Sequence, residues 1–289
     1  MHYKTYKSIL SASNGMNIYR GCTHGCIYCD SRSLCYQFDH VFEDIEVKQN
    51  APEILDDELR RRRKPCMIST GSMCDPYLPL EEELQVTRRC LEVILRRGFG
   101  LAILTKSARI LRDIDLLAAI NAKTKCVAEM TLTTYDDGLC KILEPNVSTT
   151  SERFDALCRL RDAGVPTVVW LSPLLPFITD TRENLLGLLD YCVRAGVRGV
   201  VHFGVGMTLR DGDREYFYAA LDRHFPGMKR RYIEKFGNAY ECRSDNDAEL
   251  TALLRSECAK HGILCGEREV FAYMRDFPEP RAPEQLTLF

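Results

Sequence analysis

Four of the chain's 14 cysteines crowd into one short stretch, at Cys22, Cys26, Cys29 and Cys35. The first three stand in Cys22-Thr23-His24-Gly25-Cys26-Ile27-Tyr28-Cys29. This C-x3-C-x2-C spacing can wrap three thiolates around one face of a cuboidal iron–sulfur core, and because such cores are commonly held by four cysteines, one iron would stay open. Zinc is the competing chemistry and would want four protein ligands, with His24 or Cys35 completing the set. A Cys-x-x-Cys pair also has the spacing of a redox dithiol. Spacing alone does not choose among them. Cysteine usage, 14 of 289 residues or about 5%, lies below the roughly 8–10% of a disulfide scaffold. Cys66, Cys74, Cys90, Cys126, Cys140, Cys158, Cys192, Cys242, Cys258 and Cys265 are scattered singly and read as small buried hydrophobes.

Elements must position that loop. Residues 15–21 read as a short strand running into it, ending at the glycine turn signal Gly21. Apolar runs of strand length follow at 66–71, 100–105, 126–134, 166–175 and 199–206. Between them lie amphipathic stretches such as 81–97, where Leu84, Leu91 and Leu95 share a face, and 151–163, where Phe154, Leu157, Cys158 and Leu160 do. Continuous apolar strands alternating with amphipathic helices predict an α/β fold with a parallel sheet covered by helices. Six units before residue 226 suit a partial, open TIM-type barrel better than a closed eight-unit one, whose units typically need about 250 residues. We therefore expect a barrel core over 1–226, a small helical C-terminal extension over 227–275 with two helices and a short strand near Gly262–Cys265, and an extended Pro-rich tail over 276–289.

The C-x3-C-x-aromatic-C string, on a loop after the first strand of a βα chain, resembles the radical S-adenosylmethionine (SAM) superfamily. The longer string Tyr19-Arg20-Gly21-Cys22 to Cys29-Asp30 is similar to the branch that contains spore photoproduct lyase, and Gly71-Ser72-Met73-Cys74-Asp75-Pro76-Tyr77 and Thr105-Lys106-Ser107 agree with it. The resemblance implies that Cys22, Cys26 and Cys29 hold a [4Fe-4S] cluster whose open iron chelates SAM. It also implies reductive cleavage to methionine and a 5′-deoxyadenosyl radical, and places Tyr28 against the adenine. Members of that branch carry a hydrogen-donating cysteine after the second strand; here that position is Ser72, with Cys74 two residues on. An extended segment would carry Cys74 about 6.6 Å along without changing its face. Cys74 and Tyr77 are thus the candidate catalytic side chains of this block, with Cys35 and Cys140 as spare thiols.

In βα barrels the loops after the strands form one rim where chemistry sits. That rim predicts cofactor contacts from Gly71, Ser72 and Asp75 after strand two, Lys106 after three, and Thr131 and Thr133 at four, with Thr134, Ser172, His202 and Arg210 nearby. Gly71 lets backbone approach a zwitterionic ligand, and Lys106 can pair with its carboxylate.

The net charge of −2 gives no overall field for nucleic acid, so any such site must be a local patch such as Arg60–Lys64 or Lys229–Arg231. No run approaches the roughly 18 apolar residues of a membrane span and Met1–Lys7 lacks a signal-peptide core, so the expected address is the cytoplasm. The final Gln285-Leu286-Thr287-Leu288-Phe289 resembles the short peptide by which bacterial replication and repair proteins dock on the DNA sliding clamp. The expected function is radical SAM chemistry on DNA, of repair or modification type, fed by a reductant such as flavodoxin or ferredoxin. The alternatives are the same chemistry on RNA, a peptide or a small metabolite, and a non-catalytic zinc-stabilised binding module.

Overall fold

The computed structural model describes residues 1–278. Its strands are β1 (His2–Lys4), β2 (Gly15–Met16), β3 (Tyr19–Arg20), β4 (Glu46–Lys48), β5 (Met67–Thr70), β6 (Gly100–Thr105), β7 (Cys126–Thr131), β8 (Thr167–Trp170), β9 (Gly199–Val201), β10 (Gly206–Thr208) and β11 (Glu241–Arg243). Its helices are α1 (Ala51–Arg61), α2 (Glu81–Leu84), α3 (Val86–Arg97), α4 (Ile114–Lys123), α5 (Asp137–Leu143), α6 (Thr150–Asp162), α7 (Arg182–Ala195), α8 (Asp213–His224), α9 (Met228–Phe236), α10 (Asp247–Lys260) and α11 (Glu267–Arg275).

Six strands form one all-parallel sheet in the order β2-β5-β6-β7-β8-β9. Each strand lies beside its predecessor because a crossover helix returns the chain to the same edge. Among the described residues β2 and β9 do not pair, so the fold is the expected open barrel of six units. The strands are mostly apolar because both faces are covered, with Glu129 of β7 a buried exception. Cys126, Ala128 and Met130 of β7 join the cluster that contains Leu55 of α1, Leu91 of α3, Leu157 of α6 and Leu188 of α7. The alternate residues Val127, Val168 and Val201 pack on Val270 and Met274 of α11. Period-2 alternation thus divides each strand between the helical coat and the inner face, each buried Val or Leu contributing about 1.5–3 kcal/mol. With α11 filling the lower part of the inner face, the strand C-termini at Thr131 and Trp170 are left to line an open cavity.

Several expected elements break where local chemistry interrupts them. The strand expected over 15–21 splits, since Tyr19–Arg20 leaves the main sheet to pair antiparallel with β4, which also pairs parallel with β1. That three-stranded sheet is hidden in the sequence because its central strand is Glu-Val-Lys, with buried Glu46 accepting hydrogen bonds from Tyr6 and from Lys4 at 3.0 Å. The helix expected over 81–97 breaks at Gln85, whose φ is 51°. The run at 166–175 ends as a strand at Trp170, ahead of Pro173. The run at 199–206 stops at Val201, and Gly206–Thr208 pairs instead with β11. The C-terminal segment holds three helices where two were expected, and Leu264 adds a single parallel bridge to Gly199 at the sheet edge. Leu250, Leu254 and Cys258 of α10 belong to the main barrel core.

Candidate functional site

The cysteine loop is held from both sides. The Cys22 amide donates to the Phe42 carbonyl (3.0 Å) and the Ile27 amide to the Leu143 carbonyl at the end of α5 (2.9 Å). Asn146 donates its backbone amide to His24 O (3.1 Å) and its side-chain amide to Thr23 O (2.9 Å). Tyr28 donates its hydroxyl to Glu144, which also accepts from Thr133 Oγ1 (3.2 Å) and from Arg153. Glu144 and Arg153 are fully buried. Burial alone would raise the Glu144 carboxyl, but the charges of Arg153 and Lys106 and the bonds from Tyr28 and Arg153 hold it below its ordinary range. The cysteine loop is therefore anchored through its aromatic residue to a buried ion pair on the far side of the barrel wall.

The three thiols share one buried environment. Burial pushes Cys22 up to about 12 and Cys26 well above its ordinary value, with Cys29 adding to both and Cys22 to Cys26. Burial raises Cys29 as well, against the pull of Lys106. Thiolates there need a cation to offset the desolvation. A tetrahedral zinc site with Zn–S near 2.3 Å brings its sulfurs within about 3.8 Å of one another. Among the described residues no three His, Cys, Asp or Glu ligand atoms that include these cysteines lie within 4.8 Å of one another. Cys35 is exposed and accepts from Arg210 Nη1 (3.3 Å). His24 is buried with Nδ1 3.5 Å from Asp75 Oδ2. The zinc set with His24 or Cys35 is therefore not built here, whereas three mutually interacting thiols with positive Lys106 nearby fit a [4Fe-4S] cluster.

Asp75 organises the next strand ends. Its Oδ1 accepts from Thr105 Oγ1 (2.6 Å) and from the Tyr77 amide (2.8 Å), and its Oδ2 from the Lys106 amide (2.7 Å). Gly71 has φ 99°, and a Cβ there would lie 1.9 Å from the Leu104 carbonyl oxygen, so only glycine lets β5 and β6 end this close together. These strand ends open on a cavity of 690 Å³. Its lining carries Tyr28, Cys29, Ser72, Lys106 and Thr131 together with Trp170, Phe203, Arg243 and Glu267, with Asp30 and Tyr36 also on its wall, and Thr131 and Trp170 are partners across β7 and β8.

Some expected site residues stand elsewhere. Gly71, Cys22, Cys26 and Asp75 are not among the residues lining the cavity. Thr133 is buried behind Tyr28 on Glu144. Cys74 does not line the cavity: it is buried with Sγ donating to Gly21 O (2.7 Å). Tyr77 is fully buried in the barrel core near Arg112. The extended geometry expected between Ser72 and Cys74 fails because β5 ends at Thr70 and the chain turns at Gly71 and again on the Asp75 carboxylate. Cys140 is buried beside Arg153 (3.2 Å) and Glu144, away from the cavity. The sequence reading missed the Tyr28–Glu144–Arg153 network and the aromatic pair Trp170 and Phe203 on the cavity wall; the sole tryptophan, at a strand end, was the available signal for the latter.

The family model for the radical SAM superfamily matches residues 16–189. The uncharacterized protein Rv2578c of Mycobacterium tuberculosis is 31% identical over 229 residues, covering 76% of this chain and 66% of that protein. The chain thus spans slightly under two thirds of that relative's length. The radical SAM Nalpha-GlyT isomerase of Pseudomonas phage M6 is 25% identical over 182 residues, covering 62% of this chain and 36% of that one. Among solved structures, spore photoproduct lyase complexed with dinucleoside spore photoproduct aligns with TM-score 0.62 at 13% identity, covering 86% of this chain and 74% of the lyase. A variant of that lyase aligns with TM-score 0.65 at 14% identity, covering 90% and 78%. A three-cysteine loop on an open six-unit barrel and a family match over more than half its length agree: this chain belongs to the radical SAM superfamily, whose members use a [4Fe-4S] cluster and SAM.

Proposed function

We propose that this protein is a radical SAM enzyme that modifies or rearranges a nucleobase in DNA. The carrying observation is that one cavity is lined both by Cys29 and Lys106 and by Trp170 and Phe203, so that cofactor and a planar substrate can share it. Cys22, Cys26 and Cys29 would hold the cluster, and SAM cleaved there supplies a 5′-deoxyadenosyl radical that takes a hydrogen atom from the substrate. Lys106 offers its ammonium to the SAM carboxylate. Ser72 and Thr131 offer hydroxyls to the same cavity, and Tyr28, fixed by Glu144, forms a rigid wall there.

The substrate class draws support from the two named relatives, one with a bound dinucleoside photoproduct and one named as a Nalpha-GlyT isomerase. Among the described residues Cys29 is the one cysteine lining the cavity, and it is assigned to the cluster. This favours a rearrangement that returns the hydrogen from 5′-deoxyadenosine over photoproduct reversal through a protein thiol. The radical chemistry requires a reductant such as flavodoxin or ferredoxin. The sliding-clamp reading of Gln285, Leu286, Leu288 and Phe289 falls outside the described residues; deleting 285–289 is expected to abolish clamp binding and leave SAM cleavage intact. No helix among the described residues is long and apolar enough to cross a membrane.

The test is anaerobic reconstitution followed by dithionite reduction with SAM and single-stranded or duplex DNA, with RNA, peptide and nucleoside arms. Expected are iron and sulfide in the protein, and deuterium from a base-labelled oligonucleotide carried into 5′-deoxyadenosine or, where the hydrogen is returned and the cosubstrate re-formed, into SAM. SAM cleavage with no deuterium from DNA would overturn the substrate class, and zinc without iron or sulfide would overturn the enzyme.

A further inference from the structure

Two rings of the cavity wall and a third ring behind them come from three separate elements. Trp170 ends β8, Phe203 follows β9, and Phe271 rises from α11. Trp170 and Phe203 lie with centroids 5.7 Å apart at 61°, and Phe271 backs both, at 5.9 Å from Trp170 and 6.2 Å from Phe203. Phe203 remains 41% exposed and lines the cavity. A ring backed by another ring and open on the cavity side is unusual for a residue recruited for packing alone.

The Trp170 ring is fixed as well. Its indole N–H donates to Glu129 Oε2 at 2.6 Å, and Glu129 projects from β7 on the same inner face as Thr131. Arg243 stands beside the wall, held by Asp247 (3.2 Å) and Glu241 (3.4 Å), and Gly204 makes room for it: a Cβ there would lie 2.3 Å from its Nη1.

We propose that Trp170 and Phe203 form a corner that stacks the substrate's nucleobase, with Phe271 of the C-terminal helix as its backing. The inference rests on the nucleobase reading above and adds the residues that grip the ring. One aromatic face stacks on a base while the other meets its edge, an arrangement that tolerates any base because every base has a π-face. The C-terminal helix thereby acquires a role in the site as well as in the barrel core.

Trp170 is the chain's one tryptophan, so its emission reports on this corner without a label. The experiment titrates reconstituted protein with SAM alone, then with an oligothymidylate at fixed, stated salt, following Trp170 emission and the anisotropy of a labelled copy of the oligonucleotide. The variants are Phe203→Tyr, which keeps the ring, and Phe203→Leu, which keeps apolar bulk and removes it. Expected is a Trp170 response to the oligonucleotide beyond that to SAM, near wild-type affinity for Phe203→Tyr, and roughly 5- to 150-fold weaker binding for Phe203→Leu, the range that stacking of one base supplies. Oligonucleotide binding by anisotropy with unaltered Trp170 emission, or equal affinity for Phe203→Leu, would overturn the stacking corner while leaving the nucleobase reading standing. A full emission response to SAM alone would assign the corner to the cofactor and likewise overturn it. Absence of oligonucleotide binding by the wild type would overturn the nucleobase reading itself.

Discussion

Replacing Glu144 by alanine should unbalance the site from a position outside the cavity. Its carboxylate is the acceptor for Arg153, and both side chains are fully buried. Removing one partner of a buried pair costs about 3–5 kcal/mol, because the other charge is stranded away from water. Against a total stability of about 5–15 kcal/mol this is a large fraction. With a urea slope near 3 kcal/mol/M, the unfolding midpoint should fall by roughly 1–2 M. The double variant Glu144→Met with Arg153→Met removes both charges and should recover roughly half of the loss, leaving about 1–3 kcal/mol for the Tyr28 hydroxyl that has lost its acceptor. Both variants should bind less iron and sulfide on reconstitution, because Tyr28 no longer fixes the loop between Cys26 and Cys29. Urea unfolding of the apoprotein and iron–sulfide analysis measure the two effects separately. A Glu144→Ala midpoint within 0.2 M of wild type, or a double variant as unstable as the sum of the singles, would refute the buried-pair account.

Burial pushes the Glu129 carboxyl up to about 7, with the Trp170 N–H only partly opposing it. The folded state therefore holds a proton that the unfolded state has released, and stability should fall as pH rises from about 4.5 to 7, by on the order of 3 kcal/mol. Glu129→Gln should flatten that slope in urea midpoints taken across the window. Asp75→Ala frees the Lys106 amide and Thr105 hydroxyl together, and should weaken SAM binding about tenfold in equilibrium dialysis through loss of positioning; unchanged SAM affinity would remove Asp75 from the site's support. Gly71→Ala drives a Cβ onto the Leu104 carbonyl at positive φ and should cost above about 4 kcal/mol, read as loss of soluble folded protein; a stable variant would contradict the strand-end geometry. Cys26→Ala should lose both the broad cluster absorption and 5′-deoxyadenosine formation, and retention of either would end the cluster assignment.

Local pattern made the barrel legible. The apolar runs at 100–105 and 126–134 became β6 and β7, and Thr149 with Glu152 caps the helix whose periodicity marks 151–163. Those features depend on neighbours a few residues apart, which is the range over which strand alternation, helix periodicity and capping act. Polar strands escaped the same reading, since Glu46 of β4 is stable in a buried sheet only through Tyr6 and Lys4, which a pattern of apolar residues does not reveal.

The sequence by itself determined the three-cysteine loop, its place at the head of a βα chain and the rim residues Ser72, Lys106 and Thr131, because each is written in contiguous residues or at the end of an apolar run. Only the tertiary structure decided that Cys74 and Tyr77 turn away from the cavity, that Tyr28 is gripped by Glu144 from 116 residues away, and that Trp170, Phe203 and Phe271 meet. A carboxylate in a solvated loop and one buried against an arginine read alike in one dimension. Burial and long-range pairing separate them, and these exist only once the strands have stacked side by side.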